Sequence, residues 1–245
     1  MNLILIIIFI AVLFVIRLYK AKIKGVIGEQ AISARLFFLD KSNYKVINNV
    51  VLKSGEITSQ IDHVVISDFG IFVIETKNYK GWIVGNENSE YWSQIIYKYK
   101  AQFYNPIRQN SGHIKALKKC LAEYPNLEYK SIIVFSAKAV IKVSSNTDVI
   151  NSNRLLRTIK KYSQINLTQI DKENIFQRIQ TSNLADSYSK KEHVKSIKYR
   201  IENREKTILQ NLCPKCGNNL IERYGKFGSF LGCKSYPQCK FIRKI

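Results

Sequence analysis

Gln60-Ile61-Asp62-His63-Val64-Val65-Ile66-Ser67-Asp68-Phe69-Gly70-Ile71-Phe72-Val73-Ile74-Glu75-Thr76-Lys77 reads as two β-strands joined at an Asp-Phe-Gly turn. Residues two apart on a strand share a face, so Glu75 and Lys77 point the same way. Asp62 joins them if the loop holds an even number of residues, either Asp68 and Phe69 alone or Ser67 through Gly70, because both registers set Asp62 opposite Glu75. An odd loop without a bulge would send Asp62 to the other face.

Carboxylates gathered at the end of an apolar hairpin repel one another unless a cation sits between them. Magnesium prefers oxygen ligands, keeps several waters and bridges phosphate to one or two carboxylates, which Asp62 and Glu75 could offer. Lys77 would then orient or help deprotonate an attacking water and offset charge building on the phosphate. A Glu-x-Lys by itself suits an ordinary surface hairpin. The aspartate upstream, on the paired strand, shifts the reading toward metal-dependent phosphodiester chemistry.

Other motifs surround the hairpin in order. Gly25-Val26-Ile27-Gly28-Glu29 opens an expected helix, Val73-Ile74-Glu75-Thr76-Lys77-Asn78-Tyr79-Lys80-Gly81 continues the second arm, and Trp92 and Asn105-Pro106-Ile107-Arg108-Gln109 follow. Together they resemble the nuclease-related domain, a family similar to the PD-(D/E)xK restriction-endonuclease-like proteins. The resemblance implies an α/β fold, a restriction-endonuclease-like core with a central mixed sheet flanked by helices, and metal-dependent cleavage of phosphodiesters. It implies Glu29, Asp62, Glu75 and Lys77 as the acidic-plus-lysine set, with Mg2+ or Mn2+ on Asp62 and Glu75, and Gln109 as an auxiliary polar group. Glu29 equally suits the positive end of a helix dipole. Gln109 and His113, one helical turn apart, equally suit a solvated stripe. Alternation turns His63 to the face opposite Asp62, where it has no catalytic role.

Residues 3–16 carry no polar side chain. With Asn2 and the snorkelling Arg17 to Tyr19, a helix there would extend about 28 Å at about 1.5 Å per residue, just enough to span a bilayer. Arg17, Lys20, Lys22 and Lys24 follow while nothing basic precedes. This asymmetry predicts a single-pass inner-membrane anchor with its amino terminus outside and the remaining domains cytoplasmic. A secretory signal would carry its charge before the apolar run and a small-residue cleavage site after it, and neither is present. The net charge of +21 over 245 residues favours a polyanionic partner, nucleic acid or an anionic lipid surface. AT-rich coding would also raise Lys, Ile and Asn, so charge supports the nuclease reading without selecting it.

Four of the five cysteines form Cys213-Pro-Lys-Cys216-Gly217 and Cys233-Lys-Ser-Tyr-Pro-Gln-Cys239. Two short pairs at this spacing suit tetrahedral zinc, each turn delivering two thiolates. So short a segment has little apolar area, and a structural zinc would supply the missing stability. A cytoplasmic location argues against disulfides. The stretch from Phe230 to Phe241 resembles the zinc finger at the carboxy end of bacterial type I topoisomerases, which implies DNA binding. Tyr224, Phe227, Phe230, Tyr236 and Phe241 alternate with Arg223, Lys226, Lys234, Lys240 and Arg243. Such interleaving suits single strands, although some of these rings must form the ribbon's own core. Cys120, isolated between Leu117 and Leu121, suits a buried small apolar position.

Gly81 to Gly85 and Tyr91 to Ser93, flanking Asn-Glu-Asn-Ser, predict a second hairpin extending the sheet. Pro106 starts a helix of about eighteen residues. Ser131 to Phe135 reads as a buried parallel strand, and 151–162 and 168–180 as helices, the second with an approximate capping box at Thr168 and Asp171. The expected architecture is a transmembrane anchor at 1–19, a nuclease-related α/β domain at 25–186, a charged helical linker at 187–210 and a zinc ribbon at 211–245. The function it suggests is a membrane-anchored, metal-dependent nuclease acting on DNA, single strands included. The alternative is a membrane-tethered nucleic-acid-binding protein without turnover. The three histidines form no metal-ligand pair, and neither a phosphate-binding Gly loop with Lys-Ser or Lys-Thr nor a Gly-x-Ser-x-Gly elbow is present, which sets aside ATP-driven motors and serine hydrolases.

Overall fold

A computed structural model describes residues 23–54, 57–185, 190–225 and 228–244. The expected anchor at 1–19 lies outside the described residues, and among those described no helix is long and apolar enough to cross a membrane. The described chain forms two compact units, one built from 23–54 and 59–185, the other from 57–58, 190–225 and 228–244.

The first unit is a mixed α/β arrangement. Helix α1 (23–36) precedes β1 (Tyr44–Ser54), β2 (Ile57–Ser67) and β3 (Gly70–Lys77). With β7 (Tyr129–Phe135) and β9 (Asp148–Asn151) these strands make a five-stranded sheet in the order β1-β2-β3-β7-β9. β2 and β3 are antiparallel, whereas β3–β7 and β7–β9 are parallel, as the continuous apolar run of β7 predicts. Alternation along β3 splits its side chains between two cores. Ile71 and Val73 face Leu117 of α2 (Pro106–Cys120) and Ile175 and Ile179 of α4 (Gln169–Ser182). Phe72 and Ile74 face Ile32 and Leu36 of α1 and Leu155 and Ile159 of α3 (Leu155–Ile159). Helices thus cover both faces of the sheet, and each fully buried Leu or Ile stabilises it by roughly 1.5–3 kcal/mol.

The second hairpin forms, β4 (Gly81–Asn86) with β5 (Tyr91–Ile96), but it does not extend the central sheet. It builds a separate sheet, β6-β5-β4-β8, with β6 (Tyr99–Tyr104) and β8 (Ala139–Ser144). The physical reason is a core of its own. Ile83, Trp92 and Phe103 from one face of this sheet close on Ile107, Ile133 and Phe135. Trp92 lies against bare Gly85 and donates its indole N–H to Asn86 O at 2.9 Å.

Two helix expectations shorten. The segment read as a helix over 151–162 is β9, a 3-10 turn at Ser152–Arg154 and then α3. Asn151 Nδ2 donates to Ser136 O and Ala139 O, which holds that residue in the strand. Helix α2 has 15 residues and ends at Cys120, whose side chain is only half-buried against the core. The capping box of α4 is present: Asp171 N–H donates to Thr168 Oγ1 at 3.1 Å and Thr168 N–H to Asp171 Oδ2 at 3.2 Å.

The second unit holds the charged helix α5 (Lys190–Leu209) and a three-stranded antiparallel sheet, β10 (Leu220–Gly225), β11 (Gly228–Cys233) and β12 (Ile242–Lys244). Ile208, Leu220 and three cysteines form its small core, with Leu231 and Phe241 packed against it.

Candidate active site

The register of the first hairpin decides the site. Ser67 pairs with Gly70 and His63 with Ile74, so the loop is Asp68 and Phe69 alone, an even count. One step further sets Asp62 opposite Glu75 on the face that carries Val64 and Val73. Asp62 Oδ2 accepts the Thr76 backbone N–H at 2.7 Å, which anchors the carboxylate at this edge of β3. His63 faces the other way and hydrogen-bonds Asn48 Oδ1 at 2.7 Å.

Glu75 is buried, with both oxygens engaged. Lys77 Nζ donates to Oε1 at 2.5 Å, and His113 Nε2 lies 3.1 Å from Oε2. Lys77 also donates to Gln109 Oε1 at 3.1 Å, and Ser59 Oγ lies 2.7 Å from His113 Nδ1. Gln109 and His113 reach these partners because the start of α2 is fixed. The Asn105 side chain accepts from Ile107 N and donates to the carbonyls of Glu87 and Ser89, and Pro106 occupies the first turn without needing a donor. One turn on, buried Asn110 donates to Val73 O and Ser131 Oγ at 2.8 Å each, tying α2 to β3 and β7. The alternative of a solvated stripe at Gln109 and His113 does not hold, since His113 is buried against Glu75.

Electrostatics tie the cluster together. Burial pushes the Asp62 carboxyl well above the usual carboxylate range, and the negative charges of Glu75 and Glu29 push it the same way, against the Thr76 N–H and Lys77. Burial would raise Glu75 as well, but the Lys77 charge and the His113 hydrogen bond outweigh it and hold Glu75 below its ordinary value. Lys77 is raised: burial opposes its charge, and Glu75 and Asp62 overcome that opposition.

Glu29 comes from the opposite layer. Helix α1 runs from 23 within the described residues, so Glu29 lies well beyond its first turn and the dipole explanation loses its basis. Close approach of α1 to the end of β3 depends on Gly28, where a Cβ would stand 2.7 Å from Asn78 Cβ. Asn78 Nδ2 donates to Lys24 O at 2.7 Å and completes the clamp. The structure thus gathers Asp62, Glu75, Lys77 and Gln109 by register and hydrogen bonds, and Glu29 through its charge on Asp62. Sequence reasoning missed His113, Ser59, Asn110 and Asn78. The spacing of Gln109, Asn110 and His113 on the face that buries Ile107 and Leu117 was the available signal.

In the second unit the ligand atoms of Cys213, Cys216, Cys233 and Cys239 all lie within 4.8 Å of one another. The Sγ separations are 3.6 Å for Cys213 to Cys239 and 3.3 Å for Cys216 to Cys233. Tetrahedral zinc with Zn–S near 2.3 Å requires sulfurs roughly 3.8 Å apart, so the four thiols fit a structural zinc. Gly217 at φ +78 turns the first knuckle, with Gly217 N–H donating to Cys213 O. The Asn218 backbone N–H pulls the Cys216 thiol down to about 7, toward the thiolate that zinc binds. Tyr224 and Tyr236 are exposed, Phe241 joins the ribbon core, and Phe227 lies outside the described residues.

A carboxylate-and-lysine cluster at the end of a mixed sheet, together with a four-cysteine ribbon, defines a nuclease-like DNA-binding protein. The chain belongs to the nuclease-related domain family, whose description matches residues 24–136, and residues 210–245 match the topoisomerase DNA binding C4 zinc finger. It is 37% identical over 202 residues to an uncharacterized protein of Bacillus anthracis, covering 80% of this chain and 94% of that protein. A 33-residue stretch is 55% identical to DNA topoisomerase 1 of Methanothermobacter thermautotrophicus, 14% of this chain and 5% of that one. Another of 51 residues is 43% identical to the uncharacterized protein YrdD of Escherichia coli, 21% of this chain and 25% of that one. No solved structure matches the chain.

Proposed function

We propose that this chain is a membrane-anchored, divalent-metal-dependent nuclease with a restriction-endonuclease-like core, cutting DNA that its zinc ribbon helps to hold. The observation that carries the reading is the convergence of Asp62, Glu75 and Lys77 across one hairpin, with Gln109 on the same ammonium. The donor set fits a hard cation: Asp62, Glu75 and Glu29 are three carboxylates around the one ammonium of Lys77, and although burial is the main reason Asp62 is raised, the charges of Glu75 and Glu29 add to it. Asp62 and Glu75 would hold magnesium or manganese, which would polarise the phosphodiester and neutralise charge developing on it.

The chain's own residues supply the rest. Lys77 presents an ammonium to the attacking water and to the phosphate oxygens, and Gln109 Oε1 keeps it aimed. His113, steadied by Ser59, fixes the rotamer of Glu75. The apolar run at 3–16 and the basic residues after it support an inner-membrane anchor with both units on the cytoplasmic side. Exposed Tyr224 and Tyr236, the latter with the Arg223 guanidinium 5.7 Å from its ring centre, support single-strand contact by the ribbon.

The test is cleavage by the full chain in detergent with Mg2+ or Mn2+. Glu75→Ala should abolish cutting and leave salt-sensitive DNA binding in place, with a salt slope of roughly −0.9 per duplex phosphate contacted. Binding by the unmodified chain without cutting under either metal would replace this reading with the tether.

A further inference from the structure

The β6-β5-β4-β8 sheet buries one face and leaves the other open. The register aligns Val140, Trp82, Ile95 and Lys100 in one cross-strand row, and Lys142, Val84, Ser93 and Gln102 in the next-but-one. Tyr91 and Tyr104, paired at the far end, extend this face with rings 6.0 Å apart. Trp82 and Val140 are each 50% exposed and Tyr91 is 53% exposed, so large apolar groups stand in solvent here without a cover.

Three observations say what covers them. First, the four strands contain no Asp or Glu, while exposed Lys100 and Lys142 stand on the open face. Lys80 and Lys138 line an open cleft of about 430 Å³ beside Trp82 and Tyr97. Second, Lys142 Nζ lies 3.5 Å from the centre of the Trp82 ring, so a base taking its place over the indole leaves that ammonium beside the base's own phosphate. Third, Tyr97 occupies the two-residue β5–β6 turn at φ +54, is 98% exposed, and contributes nothing to a core. Asn or Gly adopts that conformation without strain, so a tyrosine held there points to a ligand rather than to the turn.

We propose that this face is a single-strand nucleic-acid platform within the nuclease-related unit, in which Trp82 and Tyr97 stack unpaired bases and the surrounding lysines hold phosphates. It lies next in sequence to the candidate active site: Gly81 opens β4 four residues after Lys77, and Ser136 N–H bonds Lys77 O before the chain enters β8. Five residues of chain from Lys77 to Trp82 reach at most about 18 Å, so a strand on the platform leads within a few nucleotides of the carboxylates. The proposal rests on nucleic acid being the ligand, as proposed above, and not on turnover.

The sequence offers a direct probe, because it has two tryptophans, and Trp92 is 1% exposed. The full chain in detergent, carrying Glu75→Gln so that no strand is cut, is titrated with oligothymidylate while tryptophan emission is followed. Quenching is expected, and Trp82→Phe should remove the response. Anisotropy of a labelled oligothymidylate should show affinity about tenfold weaker in Trp82→Ala/Tyr97→Ala. Unchanged affinity in that double variant would overturn the proposal. So would emission that ignores oligothymidylate and responds to mixed micelles containing phosphatidylglycerol, which would make the face a lipid contact. Failure of the nuclease reading would appear separately, as absence of cleavage by the chain with Glu75 intact while the quenching persists.

Discussion

Gly28→Ala adds one methyl group where helix α1 meets the end of β3. The new Cβ would stand 2.7 Å from Asn78 Cβ and 3.2 Å from its Cγ. Carbon atoms rest about 3.5–4.0 Å apart, so roughly 1 Å has to be recovered. Asn78 is poorly placed to give way, because its amide is committed to Lys24 O at 2.7 Å. The shift therefore falls on α1. Overpacking of this kind costs about 1–3 kcal/mol, and replacing a helical glycine with alanine returns about 1 kcal/mol, so the protein should still fold. The consequence lies in the site, because α1 carries Glu29. A displacement of about 1 Å in a catalytic constellation can cost about a hundredfold in rate. Cleavage of a labelled oligonucleotide at saturating substrate, paired with thermal melting, should show a large loss of rate with little loss of stability. Gly28→Ala/Asn78→Gly, which removes the opposing atoms, should recover much of that rate. A wild-type rate in Gly28→Ala would refute the reasoning that α1 must seat closely for Glu29 to act.

Lys172→Met should lower stability by about 3 kcal/mol in urea titration, because Lys172 is buried and pairs with Asp68 Oδ1 at 2.6 Å, and its loss strands that carboxylate; a loss under about 1 kcal/mol would contradict this. Burial lowers His63 to about 4 from an ordinary value of 6.5. Between those values the unfolded chain takes up a proton that the folded chain refuses, so stability should fall as pH drops from 6.5 to 4, by about 3 kcal/mol in all. His63→Gln keeps a partner for Asn48 and does not titrate, so it should flatten that dependence; an unchanged slope would contradict the assignment. Native mass spectrometry should find one zinc per chain and none in Cys216→Ser, and retention of full zinc content in that variant would contradict the four-thiolate site.

The hairpin was legible because its physics is local. Period-2 alternation and a short turn determine which side chains share a face, and the two-residue loop meets the even-count condition that sets Asp62 beside Glu75. The ribbon was legible for a similar reason, since two short cysteine pairs and a turn glycine allow few arrangements. The second sheet was less so. Tyr97-Lys98 carries none of the Gly or Asn signal of a two-residue turn, so neither β6 nor the separate sheet it completes shows in the sequence pattern. His113 was hidden because its partner Glu75 is 38 residues away and only the packing of α2 brings them together. Asn110 and His113 occupy positions where helical period expects apolar groups, and that departure from pattern marked the site.

Metal-dependent cleavage requires that the carboxylates at this hairpin hold a divalent cation. Manganese binding to the full chain, followed by loss of the free-ion EPR signal, asks this without requiring a substrate. One site is expected in the unmodified chain, competed by magnesium and lost in both Asp62→Ala and Glu75→Ala, with zinc content unchanged. A chain that takes up no manganese, or takes up the same amount after either substitution, would contradict it.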